Sequence, residues 1–499
     1  MNITVFKSFL RTKTFHIICL ILITFLVYSN TLKNEFVWDD TQFIVNNTFI
    51  KDIHNLKQVF SKDYFTYSGQ KAWVHSGQES FRPITTTSYF IDYYIWDNNP
   101  AGYHLTNLIL YMFAVILAYK IAFLLFSGWQ FALITGLLFS LHPIHTEVVN
   151  AVCFRGDILA FIFALLSFLF YIKAKNKEKF LLYIVISSFF FMLALFSKES
   201  VIIMPLIFIV YSKLYEKNNL KSKAIVLISI SVLFFLARIF ILHAPGTRFI
   251  SKINYSLTMS PYIMSLMLKE HLRLLIIPLN LSTEHPLSSN FSILDIATFI
   301  ITGIILITTF HNKKNKPLTM GVIWIFVALI PVVNPIVNVV AERYLFLASF
   351  GFCLILVAAI KPFLLKSRTK YLVLFICSLL CVVYGMRTFE RNYDWKDDKT
   401  LWLKTIIDNP YSALGYYNLG CIFLSEEKYS NAENYYKKCI EINPAHEKAY
   451  CNLGLIEYNN NRLDNAEKYF KKSLEINPNL KQAIYNMSLV LKKQTFSRQ

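Results

Sequence analysis

The sequence predicts an all-α chain in two parts: a polytopic helical membrane domain of about 11 spans over residues 1–386 and, after a linker at 387–412, a short α-solenoid over 413–499. Three observations carry this. Hydrophobic residues fill 55% of the 499 positions and charged ones only 16%, with 44 Phe and 29 Tyr, which nearly excludes a soluble globular chain. Apolar runs close to the ~20 residues that cross a hydrocarbon layer recur from residue 15 to residue 386. Beyond them a pattern repeats every 34 residues.

The spans fall in order at 15–32, 103–126, 129–148, 157–172, 180–197, 200–215, 224–242, 293–310, 319–340, 344–360 and 371–386. The first follows Lys7, Arg11 and Lys13 and runs into Ser29-Asn30-Thr31-Leu32-Lys33 without a small-residue cleavage site, so it reads as an uncleaved signal anchor. A further apolar stretch at 259–279 carries Lys269, Glu270, His271 and Arg273 and is expected to lie in the interface or to enter without crossing. With the N-terminus cytoplasmic, the inside segments 1–14, 127–128, 173–179, 213–223, 311–318 and 361–370 hold 18 basic residues against Glu178 and Glu216. Most of the +19 charge is therefore an orientation signal, not a sign of nucleic-acid binding. The odd span count places the first loop, 33–102, and the chain after 387 on the outer side, which is periplasmic in a bacterial inner membrane or lumenal in the endoplasmic reticulum.

In the tail, Tyr417-Asn418-Leu419-Gly420 returns as Cys451-Asn452-Leu453-Gly454 and, degraded, as Tyr485-Asn486-Met487-Ser488. Ala432 returns as Ala466, and Pro410, Pro444 and Pro478 close each unit. This helix-turn-helix pattern resembles the tetratricopeptide repeat, with units at 413–446 and 447–480 and a closing helix at 481–495. Asn418, Asn452 and Asn486 share one repeat position, which resembles the asparagine ladder by which the repeats of O-GlcNAc transferase hold a peptide main chain. These three are candidate acceptor-binding residues; the alternative is an asparagine merely tolerated there.

The eight cysteines form no CxxC or Cys/His cluster and read as small buried residues. Lys and Arg are scarce in the short outer loops, and those present lie beside acids: Arg155-Gly156-Asp157, Lys198-Glu199 and Glu342-Arg343. Local ion pairing explains any single case. Three at one membrane face favour a shared anionic ligand, such as the phosphate of a lipid-linked substrate. The first outer loop opens with Glu35-Phe36-Val37-Trp38-Asp39-Asp40, whose carboxylates sit where a general base, or a metal-borne contact to a leaving group, would be useful. Ser80-Phe81-Arg82-Pro83 follows, then His104 and Asn107 at the top of the second span. His142-Pro143-Ile144-His145-Thr146-Glu147 ends the third span; Pro143 interrupts its helical face and no HExxH pattern exists, so a hydrogen-bonding shell is favoured over zinc.

Taken in order, these motifs, with Ala341-Glu342-Arg343-Tyr344 and the repeats, resemble the transmembrane-and-tetratricopeptide-repeat family of protein O-mannosyltransferases and its bacterial relatives. The resemblance implies a GT-C type glycosyltransferase that moves a mannose-like sugar from a polyprenyl-phosphate carrier to a hydroxyl of a protein acceptor. It implies a catalytic carboxylate at Asp39 or Asp40 and donor-phosphate contacts from Arg82, Arg155, Lys198 and Arg343. His104, Asn107, His142, His145, Glu147, Asp157, Glu199 and Glu342 would form a supporting polar shell. The implied partners are the lipid-linked donor, membrane lipid and a protein or peptide held by the repeats, with no metal or other cofactor required. Unlike the animal members, this chain has a short middle segment, 243–292, and about two repeats, so their acceptors do not carry over. The competing readings are a glycosyltransferase acting on envelope glycan or lipid, and a non-catalytic membrane-anchored repeat scaffold for protein-protein interaction. A scaffold has no use for charges gathered at one membrane face, and a transporter would place its charges near the midplane.

Overall fold

The computed structural model describes residues 12–61, 81–176, 178–216, 220–242, 260–285, 293–311, 314–333 and 340–498. Lys7, Arg11, Ser80 and residues 334–339 of the span expected at 319–340 lie outside them. The described residues are helical with no strand, and the chain divides into two compact units.

The larger unit, Met1–Leu281 with Leu287–Lys396, begins with α1 (Lys13–Tyr28), whose first turn is capped by the Thr12 hydroxyl accepting from the Phe15 N–H. There follow α2 (Pro83–Trp96), α3 (Pro100–Phe126), α4 (Trp129–Leu141), α5 (Thr146–Asn150), α6 (Arg155–Lys173) and α7 (Phe180–Ser197). The rest are α8 (Met204–Tyr215), α9 (Leu220–Leu242), α10 (Ser260–Ile276), α11 (Ile293–His311), α12 (Lys316–Leu329), α13 (Phe346–Leu364) and α14 (Ser367–Asn392). Among the described residues, six helical stretches are long and apolar enough to cross a membrane: Lys13–Lys33, Pro100–Phe126, Val152–Lys173, Phe180–Ser197, Glu342–Leu364 and Ser367–Trp395. The pair α4 and α5, bent by 51° at Pro143, makes a seventh if it is one broken span.

Among the described residues, continuous helices of spanning length do not amount to the expected eleven. The expected span at 200–215 is a 3-10 turn, Glu199–Ile203, followed by the 12-residue α8, which starts anew near Pro205. The expected span at 319–340 yields the 14-residue α12, which stops before Pro331. The stretch at 259–279 forms α10, which carries an Arg273–Glu270 ion pair and is not among the candidate spans.

Packing inside this unit uses small residues and amides. A Cβ on Gly321 would come within 2.7 Å of the Gly351 carbonyl, and one on Gly351 equally close to that of Gly321, so α12 and α13 meet backbone to backbone. Four asparagines tie the ends of α1, α5 and α14 together. Asn34 donates to Asn150 at 2.9 Å, Asn150 to Asn392 at 2.9 Å, Asn392 to Asn30 at 2.9 Å, and Asn30 to the Phe389 carbonyl at 2.9 Å.

The second unit combines Ser282–Pro286 with Asp397–Gln499. Its helices are α15 (Asp398–Asp408), α16 (Ala413–Ser425), α17 (Tyr429–Ile442), α18 (Glu447–Asn459), α19 (Leu463–Ile476) and α20 (Lys481–Arg498). The expected linker 387–412 is largely helical instead: α14 runs to Asn392, the Asp397 carboxylate caps α15, and Leu401 and Trp402 are buried. Tyr436 and Phe470 fill the space over Gly420 and Gly454, where a Cβ would meet their rings at 2.5 and 2.7 Å. Glu427 and Asn461, 34 positions apart, take the same left-handed turn at φ 58° and 61°. Asn409, Asn443 and Asn477, each before the repeat proline, accept from the N–H two residues on at 3.1, 3.1 and 3.2 Å, an Asx turn that stops one helix and opens the next.

Asn150→Leu should therefore leave Asn34 and Asn392 without their central partner and cost about 1–3 kcal/mol, read as a fall in the thermal midpoint of detergent-solubilised protein. An unchanged midpoint would mean that the asparagine chain is not a tie.

Candidate functional site

The first loop is anchored by one carboxylate. Asp40 is fully buried and accepts from the N–H groups of Val37 at 3.3 Å, Val152 at 3.2 Å and Cys153 at 2.7 Å. Burial pushes its carboxyl from 3.8 up to about 7, although the bonds from Cys153, Val152 and Val37 oppose the rise. Asp39, the other catalytic candidate, is only partly buried, and its carbonyl accepts from Gln42 and Phe43, both at 3.0 Å, to start the turn Thr41–Val45. Before it, Trp38 sits at φ 55°, in the left-handed region where a bulky side chain is strained. Asp40 therefore holds the loop, and Asp39 is the carboxylate it presents.

The expected pairing of charges with their sequence neighbours is not what forms. Arg82 makes two bonds to Glu199, at 3.0 and 2.9 Å, and Lys198 turns to Asp157, at 2.7 Å. Arg155 pairs with Asp92, Arg343 with Glu147, and Glu342 with Arg391 at 2.9 Å. Adjacent residues at a helix start point to different faces, so each cation reaches an acid on another element. Burial alone would raise the Glu199 carboxyl, but the charge and hydrogen bonds of Arg82, with the charge of Arg238 behind them, hold it below the usual carboxylate range.

Burial sorts the four expected phosphate contacts. The Arg155 side chain is 0% exposed, bonded to Asn107, Asp92 and the Tyr103 carbonyl and lying 5.2 Å from the centre of the Tyr89 ring. A guanidinium so enclosed and fully partnered holds the framework together in this arrangement and offers no open face to a phosphate. Arg82, Lys198 and Arg343 keep 19%, 10% and 15% of their side chains exposed. The Arg343 guanidinium lies 4.5 Å from the ring centre of Phe154, 5.0 Å from that of Tyr344 and 5.5 Å from that of Trp38, and the Arg343 backbone N–H donates to the Glu147 carboxylate at 2.7 Å. The Lys198 ammonium lies 5.9 Å from the same Tyr344 ring, and the charge of Asp157 reaches Arg343. Two cations, two acids and three aromatic rings thus converge beside the Asp39 loop.

The rest of the expected shell lies beneath. His104 is buried against the Glu35 carbonyl at 3.3 Å, and Asn107 joins Arg155 to the Val149 carbonyl. His142 bonds the Leu275 carbonyl at 3.1 Å, while His145 bridges the Tyr111 hydroxyl and Ser349, both at 2.7 Å. These side chains fasten the broken span. Among the described residues no three His, Cys, Asp or Glu converge as a metal site would require.

Two of the three repeat asparagines, Asn452 and Asn486, are buried, and Asn418 is half-buried. Asn418 bonds the Leu414 carbonyl of its own helix at 2.9 Å, Asn452 is buried on the Tyr436 hydroxyl at 2.9 Å, and Asn486 is buried beside the Cys451 sulfur at 3.9 Å. The enclosed Tyr436 hydroxyl needs a partner, and Asn452 supplies it. The peptide ladder expected of these three is not built by this arrangement. Sequence reasoning missed Asp92 and Arg391; a carboxylate inside the apolar run Tyr89-Phe90-Ile91-Asp92-Tyr93-Tyr94 was the available signal.

Known proteins resemble this chain along most of its length. Residues 413–446 and 447–480 match the tetratricopeptide repeat family. Protein O-mannosyl-transferase F38B6.6 of Caenorhabditis elegans is 26% identical over 450 residues, covering 86% of this chain and 62% of that protein. Human protein O-mannosyl-transferase TMTC3 is 26% identical over 464 residues, covering 83% and 50%. The chain thus spans between half and under two thirds of the length of these relatives. The resemblance read from the motifs, to the transmembrane-and-tetratricopeptide-repeat protein O-mannosyltransferases, is the one these comparisons return. Among solved structures, an Archaeoglobus fulgidus oligosaccharyltransferase tethered with an acceptor peptide aligns over 85% of this chain and 59% of that one at 12% identity, with a TM-score of 0.43.

Arg155→Met should cost about 3–5 kcal/mol by stranding Asp92 in the interior, and Arg155→Met with Asp92→Leu should recover most of the loss in thermal melts. A double variant no better than the single one would remove the pair from the framework. A raised Asp40 also fixes the direction of pH dependence. The folded chain keeps a proton on Asp40 that the unfolded chain releases, so stability is fullest below the ordinary value of 3.8 and falls as pH rises to about 7. Asp40→Asn should remove that slope in melts run across this window.

Proposed function

We propose that this chain is a membrane glycosyltransferase that moves a mannose-like sugar from a polyprenyl-phosphate carrier to a Ser or Thr hydroxyl of a protein, on the periplasmic or lumenal side. The observation that carries the reading is the convergence of Arg343 and Lys198 on the Tyr344 ring beside the loop that presents Asp39. The names of the relatives point the same way.

In this reading Asp39 takes the proton from the acceptor hydroxyl as its oxygen attacks the anomeric carbon. The bond from that carbon to the phosphate oxygen breaks, and the phosphate leaves with the electron pair toward Arg343, Lys198 and Arg82. One displacement inverts the anomeric centre. No step calls for a metal. Phosphate binding exchanges partners at each cation, because Glu147, Asp157 and Glu199 occupy them beforehand. The repeats share the outer compartment and supply the surface for the protein acceptor, through contacts other than the buried Asn452 and Asn486.

Purified full-length protein, given a polyprenyl-phosphate mannose and a Ser/Thr peptide, should yield a mannosylated peptide by mass spectrometry. Asp39→Asn should lower the rate by roughly 10²–10⁴ with the fold intact. A fully active Asp39→Asn would overturn the base assignment, and a wild type inert toward every polyprenyl-phosphate sugar would overturn the reading itself.

A further inference from the structure

Trp38 touches both Arg343 and Phe154. Its ring faces the Arg343 guanidinium at 5.5 Å and meets the Phe154 ring edge-on at 5.4 Å. Its backbone, at φ 55°, turns the chain immediately before Asp39. Phe154 follows Cys153, whose N–H bonds the Asp40 carboxylate at 2.7 Å. The Trp38–Phe154 contact and the Asp40–Cys153 bond are therefore two adjacent fastenings between the same two segments.

A left-handed backbone is cheap for glycine and costly for tryptophan. A ring that holds Arg343 against Glu147 and Phe154 gives a reason for a large side chain at such a position, whereas a turn alone needs none. We propose that Trp38 is a positioning residue of the transfer reaction: its ring fixes the Arg343 guanidinium for the donor phosphate, and its turn aims Asp39 at the acceptor. This rests on the polyprenyl-phosphate reading given above.

Three substitutions separate the ring from the turn. Trp38→Gly keeps a relaxed left-handed backbone and loses the ring, Trp38→Phe keeps a ring, and Trp38→Ala loses the ring and keeps the strain. Binding of farnesyl phosphate to the full-length protein in detergent and the kcat and KM of mannose transfer are measured for each, with thermal melts alongside. Trp38→Gly should weaken farnesyl phosphate binding about tenfold, raise the donor KM and lower kcat, while Trp38→Phe restores most of each and Trp38→Gly melts no lower than Trp38→Ala. A purely structural Trp38 would reduce the folded fraction and leave the affinity and KM of what remains unchanged. Wild-type affinity and turnover in Trp38→Gly, or a Trp38→Phe no better than Trp38→Gly, overturns the proposal while the wild type stays active. A wild type that neither binds farnesyl phosphate nor transfers sugar overturns the polyprenyl-phosphate reading, and this proposal with it.

Discussion

The membrane unit depends on one electrostatic constraint: a cation at a helix end in an apolar medium must find an acid, and for Arg155, Lys198 and Arg343 the acid beside it in sequence is committed elsewhere. Arg82 takes Glu199, Lys198 takes Asp157, Arg155 takes Asp92, Arg343 takes Glu147 and Arg391 takes Glu342. Each pair joins elements far apart in the chain, so satisfying the charges also sets which helix ends lie together. The fully buried pairs are costly to break because either partner alone would be a stranded charge. Those that retain some exposure can exchange partners.

Asp40 and the asparagine chain serve the same end with hydrogen bonds in place of charge. Three backbone N–H groups converge on one carboxylate, and four amides pass a bond from α1 through α5 to α14. A loop pinned in this way can hold the neighbouring Asp39 at a fixed place without burying it. The strained turn at Trp38 persists because the structure on both sides determines it.

Much of this was legible in the sequence, and what was not has physical reasons. Long apolar runs and a 34-residue period are local patterns, so the helical class, the repeats at 413–446 and 447–480 and the break at Pro143 could be read directly. Ion-pair partners are tertiary facts: nothing near Arg155 in the chain points to Asp92, and nothing near Glu342 points to Arg391. Asp39 and Asp40 are indistinguishable as letters; only burial separates the enclosed anchor from its half-buried neighbour. A column of amides such as Asn418, Asn452 and Asn486 in sequence says nothing about which way each side chain turns. The informative ones were Asn409, Asn443 and Asn477, whose Asx turns punctuate the solenoid.

The matched pairing of Arg82, Lys198 and Arg343 with Glu199, Asp157 and Glu147 has a kinetic consequence. Three positive and three negative groups sum to zero, so they project almost no field beyond a Debye length of about 8 Å at physiological ionic strength. In the reaction proposed above, an anionic headgroup would then not be drawn in from a distance; it would arrive by diffusion in the plane of the membrane and be captured by a short-range exchange of one carboxylate for another oxyanion. The encounter rate of such a site is governed by lipid mobility and by the surface density of the carrier, with little sensitivity to salt.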